Sequence, residues 1–276
     1  MNVMTPITEV PNYDAIKTKQ NAAWSSGDYR KIGVTLQITG EDLAEAADTA
    51  PGARVLDVAA GNGNATLAFA RRWCAVTSTD NVAELLNSGR QRTEAEDLDV
   101  AFEVADVENL PYDDARYDAV VSTFGAMFAP NQKRAAAEMI RVCRPGGKIA
   151  MSNWTPDSFI GALFKVMGKY APPPAGVASP MNWGDRKWIG ETFRSEAETI
   201  SIRVKRFGLR YPSPQYFVDF FRSFYGPVHK AFQALDDQQK MALNKDILDT
   251  IAEFNIAEDR TMHVPSNYAE IVIVKE

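Results

Sequence analysis

The chain has 276 residues, 45% hydrophobic and 24% charged, with a formal net charge of −6; that is enough apolar material for one large core and a smaller cap. An acidic balance of this kind excludes a nucleic-acid partner gripped through its phosphates, which needs a basic face, and no run approaches the roughly 18 apolar residues of a membrane-spanning helix. The start, MNVMTPITEV, lacks the basic and apolar segments of a signal peptide, and Cys74 and Cys143 read as reduced core thiols, so a cytoplasmic protein without disulfide or metal is expected.

In chain order, Met1 to Asn12 reads as a loose arm and Tyr13 to Ala23 as a helix. Trp24 to Gly33 (WSSGDYRKIG) reads as a polar turn, and Leu36 to Ala50 as a second helix. Pro51 and Gly52 mark the start of a new domain. The next stretch, RVLDVAAGNGNATLAFARR, is the most informative in the chain. Arg54 to Ala59 is a short apolar run suited to a strand buried on both faces, and it ends at a turn holding Gly61 and Gly63. A mostly apolar helix follows from about Asn64, capped within Asn62 to Asn64. A glycine turn of this kind lets a ligand approach bare backbone while helix N-H groups face it, which makes a nucleotide cradle.

Two classes of nucleotide compete for that cradle. A dinucleotide fingerprint needs a third glycine where Thr66 stands, which weakens an NAD-linked oxidoreductase. Asp57, at the strand's end, repels a pyrophosphate and attracts an ammonium, which favours a nucleoside bearing an amino acid.

At this point the sequence resembles the class I S-adenosylmethionine-dependent methyltransferases, and among them the branch similar to the ubiquinone/menaquinone-biosynthesis enzymes. Val55, Leu56, Asp57, Ala59, Gly61 and Gly63 match the family's first motif, with Ala59 departing from a glycine. Asp80 closes CAVTSTD, with Asn81 beside it, where the resemblance implies an acidic residue bonded to the ribose hydroxyls. EVADVENLPY resembles the segment in which Asp106 would bond the adenine amino group and the Val107 N-H would meet the ring. YDAVVSTFGAMF and RVCRPGGKIAMSNW look like the family's fourth strand and its helix-PGG-fifth-strand element.

Strands near 54–59, 75–79, 100–105, 117–123 and 147–153 alternate with helices near 64–72, 82–95 and 131–143. That alternation predicts an α/β fold, a doubly wound, mostly parallel sheet with ligands at the strands' C-terminal ends. Asp57, Asp80, Asp106 and Ser122 all fall at those ends and are expected on one rim. Further on, Phe159 to Tyr170 reads as a helix, PPPAG as a connector, and Asn182 to Ser195 as a helix. Glu198 to Tyr211 reads as the sixth strand and Tyr268 to Val274 as the seventh, which the resemblance makes antiparallel.

The implied organisation is an N-terminal helical cap segment (1–50), a cofactor-binding core (51–154), and the remaining strands with cap insertions at 155–190 and 207–267 (155–276). All cap pieces are expected over the C-terminal edge. Tyr13, Trp24 and Tyr29 are candidates to line the cleft, against a plain surface hairpin. The aromatic face of Tyr216, Phe217, Phe220, Phe221, Phe224 and Tyr225 reads first as the cap's own core, with an edge available to a hydrophobic acceptor.

The expected function is methyl transfer from S-adenosylmethionine to a small-molecule acceptor, with neither nucleic acid nor membrane as partner. The alternatives are a nucleotide-dependent oxidoreductase or a non-catalytic S-adenosylmethionine-binding protein. Cofactor-binding candidates are Asp57, Ala59, Gly61, Gly63, Asp80, Asn81, Asp106, Val107 and Ser122, and no metal site is expected. If the accepting atom is oxygen, His263, expected on a rim-side loop, is the candidate base, ahead of His229 in a cap helix.

Overall fold

The computed structural model describes residues 11–276, so most of the expected N-terminal arm lies outside the described residues. The chain opens with α1 (Tyr13–Trp24), whose N-cap Asn12 accepts from the Ala15 N-H. The segment read as a polar turn is helical over its second half. After a turn at residues 25–28 comes α2 (Tyr29–Gly33), which passes through a 3₁₀ turn into α3 (Gln37–Ala47). Ile32 and Leu36 bury themselves there, and that burial outweighs the polar residues around them.

The sheet then alternates strand and helix: β1 (Arg54–Val58), α4 (Asn64–Ala70), β2 (Ala75–Asp80), α5 (Ala83–Glu94), β3 (Val100–Val104), β4 (Tyr117–Thr123), α6 (Gln132–Val142) and β5 (Cys143–Trp154). Beyond it lie α7 (Phe159–Tyr170), α8 (Arg186–Phe193), β6 (Ala197–Tyr211), α9 (Pro214–Phe224), α10 (Gly226–Ala234), α11 (Asp237–Phe254) and β7 (Met262–Lys275).

Strand order across the sheet is β3-β2-β1-β4-β5-β7-β6. β1 to β5 pair in parallel, and β7 lies antiparallel between β5 and β6. The expected α/β, seven-stranded, mostly parallel sheet with an antiparallel last strand is therefore present. One apolar layer joins α3 and α4 to one face through Leu43, Ala44, Ala68 and Phe69. The larger layer on the other face carries Met139, Ile149, Met151 and the helices after β5.

Two boundary differences bear on the sheet. The helix before the PGG segment stops at Val142, and Pro145 to Gly147 sit within the first residues of β5. The β4-β5 register slips between Tyr117 and Ala119 to absorb them, and Gly146 takes φ 68. β7 begins at Met262, six residues earlier than expected, so its first part lies inside the piece read as a cap insertion. Pro265, Ser266 and Asn267 look like turn formers. Yet before Tyr268 the strand's one strand partner is β6, where Pro265 pairs with Gly208, and such an edge-like position tolerates a residue without an N-H.

Candidate active site

At the C-terminal end of β1 the chain bends through Ala59, Gly61 and Gly63, with φ of 49, 58 and 83. Gly61 is bare where the Tyr29 ring leans on the turn; a Cβ there would stand 3.1 Å from that ring. Ala59 holds the same left-handed conformation at a cost that glycine avoids. Ala59→Gly is therefore expected to raise stability by about 0.5–1 kcal/mol, read as a shift of roughly 2 °C in the thermal midpoint. An unchanged or lower midpoint would show that the alanine is unstrained.

Asp80 ends β2 and faces this bend. One of its carboxylate oxygens accepts the Gly61 N-H at 2.9 Å, and the other the Val82 N-H at 2.9 Å. Burial pushes its carboxyl up to about 6, despite those bonds. Asp106, in the loop after β3, accepts the Glu108 N-H at 2.9 Å and the Lys17 ammonium at 2.7 Å. Lys17 also stands 3.3 Å from Glu108. From the same helix, Gln20 donates to the Phe128 carbonyl at 3.1 Å and Asn21 to the Asn81 carbonyl at 2.7 Å, so α1 is tied across the cleft.

These groups enclose a cavity of about 820 Å³ counted to its mouth. Ala59, Gly61, Asp80, Asn81, Asp106 and Val107 line it, together with Lys17, Trp24 and Tyr29 from the N-terminal segment. Tyr13 is not among the lining residues.

Three predicted site residues stand behind the wall rather than on it. Asp57 is 1% exposed, and one oxygen accepts both the Thr66 N-H at 2.8 Å and the Thr66 hydroxyl at 2.6 Å. Its other oxygen has no partner among the described residues, and burial pushes its carboxyl up to about 7. Ser122 donates to the Val58 carbonyl at 2.9 Å and accepts the Ala126 N-H at 2.9 Å, pinning the turn after β4 against β1. Gly63 starts α4, where a Cβ would meet Leu67 at 3.2 Å. The expected convergence of three carboxylates thus holds for Asp80 and Asp106, while Asp57 serves the helix N-terminus. Thr66, read from the sequence as a missing glycine, is the partner that takes Asp57 out of the cleft.

A second cavity, about 550 Å³, adjoins the first and shares Trp24, Tyr29, Phe124 and Phe128 with it. α7 contributes Ile160, Leu163 and Phe164, and the edge of the aromatic cap helix contributes Phe221; Tyr225 follows that helix. The cap face is therefore both core and wall, since Phe217 is 1% exposed and packs inward. Phe124 has φ 56, an outlier for an aromatic residue. It is held by the Ser152 carbonyl, which accepts its N-H at 2.8 Å, and by stacking on Trp154 with centroids 4.2 Å apart and planes 9° apart. Neither Phe124 nor Trp154 carries a sequence signal for this role, and Lys17 was equally invisible.

Neither histidine lines either cavity. His263 is in strand β7 opposite Arg210, not on a loop, and its N-H bonds Asn255 at 2.8 Å. The His229 ring lies 3.0 Å from the Arg222 carbonyl and 2.8 Å from the Gln233 amide.

Residues 55–147 match the model of a methyltransferase domain. An uncharacterized protein of Mycobacterium tuberculosis is 37% identical over 253 residues, covering 89% of this chain and 90% of that protein. A demethylmenaquinone methyltransferase of Deinococcus radiodurans is 31% identical over 163 residues, covering 57% of this chain and 68% of that enzyme. The chain belongs to the class I S-adenosylmethionine-dependent methyltransferases. The crystal structure of the YcgJ protein from Bacillus subtilis shares the fold of this methyltransferase, with a TM-score of 0.57 at 16% identity over 86% of this chain and 98% of that one. Among the described residues no helix of the methyltransferase is long and apolar enough to cross a membrane.

Proposed function

We propose that this methyltransferase carries the methyl group of S-adenosylmethionine to a small organic acceptor, with donor and acceptor in adjoining cavities. One observation supports this reading above the others: a cavity built on the glycine bend and carrying Lys17, Asp80 and Asp106 adjoins an apolar one, the two sharing four aromatic side chains. The donor's parts match the first cavity. Gly61 offers bare backbone beside Asp80, whose two oxygens each keep a lone pair after taking one N-H. Asp80 would hold the ribose hydroxyls, and Asp106 with the Val107 N-H the adenine edge, with Lys17 sharing or yielding its bond to Asp106.

When bound, the donor supplies a methyl group on a positively charged sulfur, open to in-line displacement. The chain's own part is to orient the acceptor and shut out water, a contribution of roughly 7–11 kcal/mol in well-aligned systems. α1, bonded across the cleft by Lys17, Gln20 and Asn21, serves the exclusion. Asp80 and Asp106 in the cleft, and the net charge of −6, oppose a nucleic-acid acceptor.

Incubation with methyl-labelled donor and a metabolite extract, in parallel with tRNA and with DNA, tests the proposal. Label is expected in the small-molecule fraction; label in nucleic acid would overturn the reading.

A further inference from the structure

The second cavity has a chemical bias of its own. None of its lining residues is acidic, basic or histidine, although the first cavity holds Lys17, Asp80 and Asp106. An acceptor carrying a fixed charge would lose its hydration there with no counter-ion in return. The walls instead offer aromatic faces, with Phe124 flat against Trp154 and Trp24 edge-on to Phe128 at 5.1 Å, which suits a planar apolar body.

Three hydroxyl-bearing side chains interrupt this surface, Thr35, Tyr29 and Tyr225, and the two tyrosine rings lie 6.5 Å apart. No described side chain or backbone group hydrogen-bonds to either phenol. Burial pushes Tyr29 up to about 12, with the Asp80 charge adding, and raises Tyr225 as well, with Tyr29 adding. Both therefore remain protonated and are able to donate. The Thr35 hydroxyl is already committed to the Ile32 carbonyl at 2.7 Å. Tyr29 lines both cavities, so its side chain stands where donor and acceptor would meet.

We propose that the second cavity receives an uncharged, flat acceptor bearing an oxygen, and that Tyr29 and Tyr225 select and orient it by donating hydrogen bonds to that oxygen. This rests on the donor reading above, and it assigns Tyr225 as a specificity-determining residue.

The test uses matched probes that share one ring system, titrated against protein saturated with S-adenosylhomocysteine: biphenyl, biphenyl-4-methanol, biphenyl-4-carboxylate and biphenyl-4-methylammonium. The alcohol is expected to bind, and both charged probes to bind at least about tenfold more weakly. Tyr225→Phe should weaken the alcohol about fivefold, the worth of one hydrogen bond, and leave biphenyl unchanged. Leu163→Trp, which fills the cavity from α7, should block the alcohol yet spare S-adenosylhomocysteine. Equal binding of a charged probe, equal loss of biphenyl and alcohol in Tyr225→Phe, or no binding of any probe to protein that does bind S-adenosylhomocysteine overturns the acceptor proposal alone. Failure of S-adenosylhomocysteine itself to bind overturns the donor reading instead.

Discussion

Replacing Asp80 with alanine is expected to weaken S-adenosylhomocysteine by at least tenfold, about 1.4 kcal/mol, in calorimetric titration at pH 8. The carboxylate does two jobs at once. It draws the Gly61 and Val82 N-H groups into place at 2.9 Å each, and in the proposed donor site one lone pair per oxygen would remain for the ribose diol. Alanine removes the acceptors and loosens the bend together, so Asp80→Asn separates the effects by keeping one oxygen acceptor without the charge. The proton balance adds a second readout. Because burial lifts this carboxyl to about 6, a substantial share is protonated in mild acid, and hydroxyl donors prefer the ionised form. Affinity should therefore fall as pH drops through about 6, and the fall should flatten in Asp80→Asn. Affinity that is the same from pH 8 to pH 5, or unmoved by the alanine, would remove Asp80 from the donor site.

What the sequence made legible follows from what local pattern can express. Buried parallel strands are short β-branched runs, and a bend with φ above zero favours glycine, so β1, its turn and α4 were readable from Arg54 to Ala70. Asp80 and Asp106 were readable because a residue at the C-terminal end of a parallel strand falls on the ligand edge wherever its neighbours send it. Asp57 obeys the same positional rule and points elsewhere. Thr66, nine positions on, occupies the third residue of α4, one of the helix N-H groups that lack an intrahelical partner. A carboxylate behind a helix start faces two claims, from a ligand and from those orphan donors, and position alone does not rank them. The second cavity was illegible for a different reason. Tyr29, Phe124, Trp154, Leu163 and Tyr225 come from five distant segments, and tertiary packing alone brings them together. His263 was misplaced because turn-forming residues do not reveal that a strand has lost one of its two neighbours.

The role assigned to Asp57 leads to an opposite signature from that of Asp80: a large effect on stability and almost none on binding. Its carboxyl oxygen satisfies two donors of Thr66, and leaving such buried donors unpaired costs about 1–3 kcal/mol each. Asp57→Ala should accordingly lose about 2–4 kcal/mol at pH 6, measured by chemical denaturation. Asp57→Asn keeps one oxygen for Thr66 and should hold S-adenosylhomocysteine affinity within about threefold, whereas a residue touching the donor's ammonium would lose far more. The sign of the pH dependence follows from the raised carboxyl. Its folded value of about 7 lies above the unfolded 3.8, so the folded protein retains a proton that the unfolded chain has released. Stability from this group is then greatest at low pH, declines as pH rises from about 4, and levels off above about 7. Asparagine carries no charge to bury, so the wild type should be the more stable at pH 5 and Asp57→Asn the more stable at pH 8. Parallel stability curves for the two proteins across that range would mean that the carboxylate is ionised in the fold throughout, and the buried, proton-holding role of Asp57 would be lost.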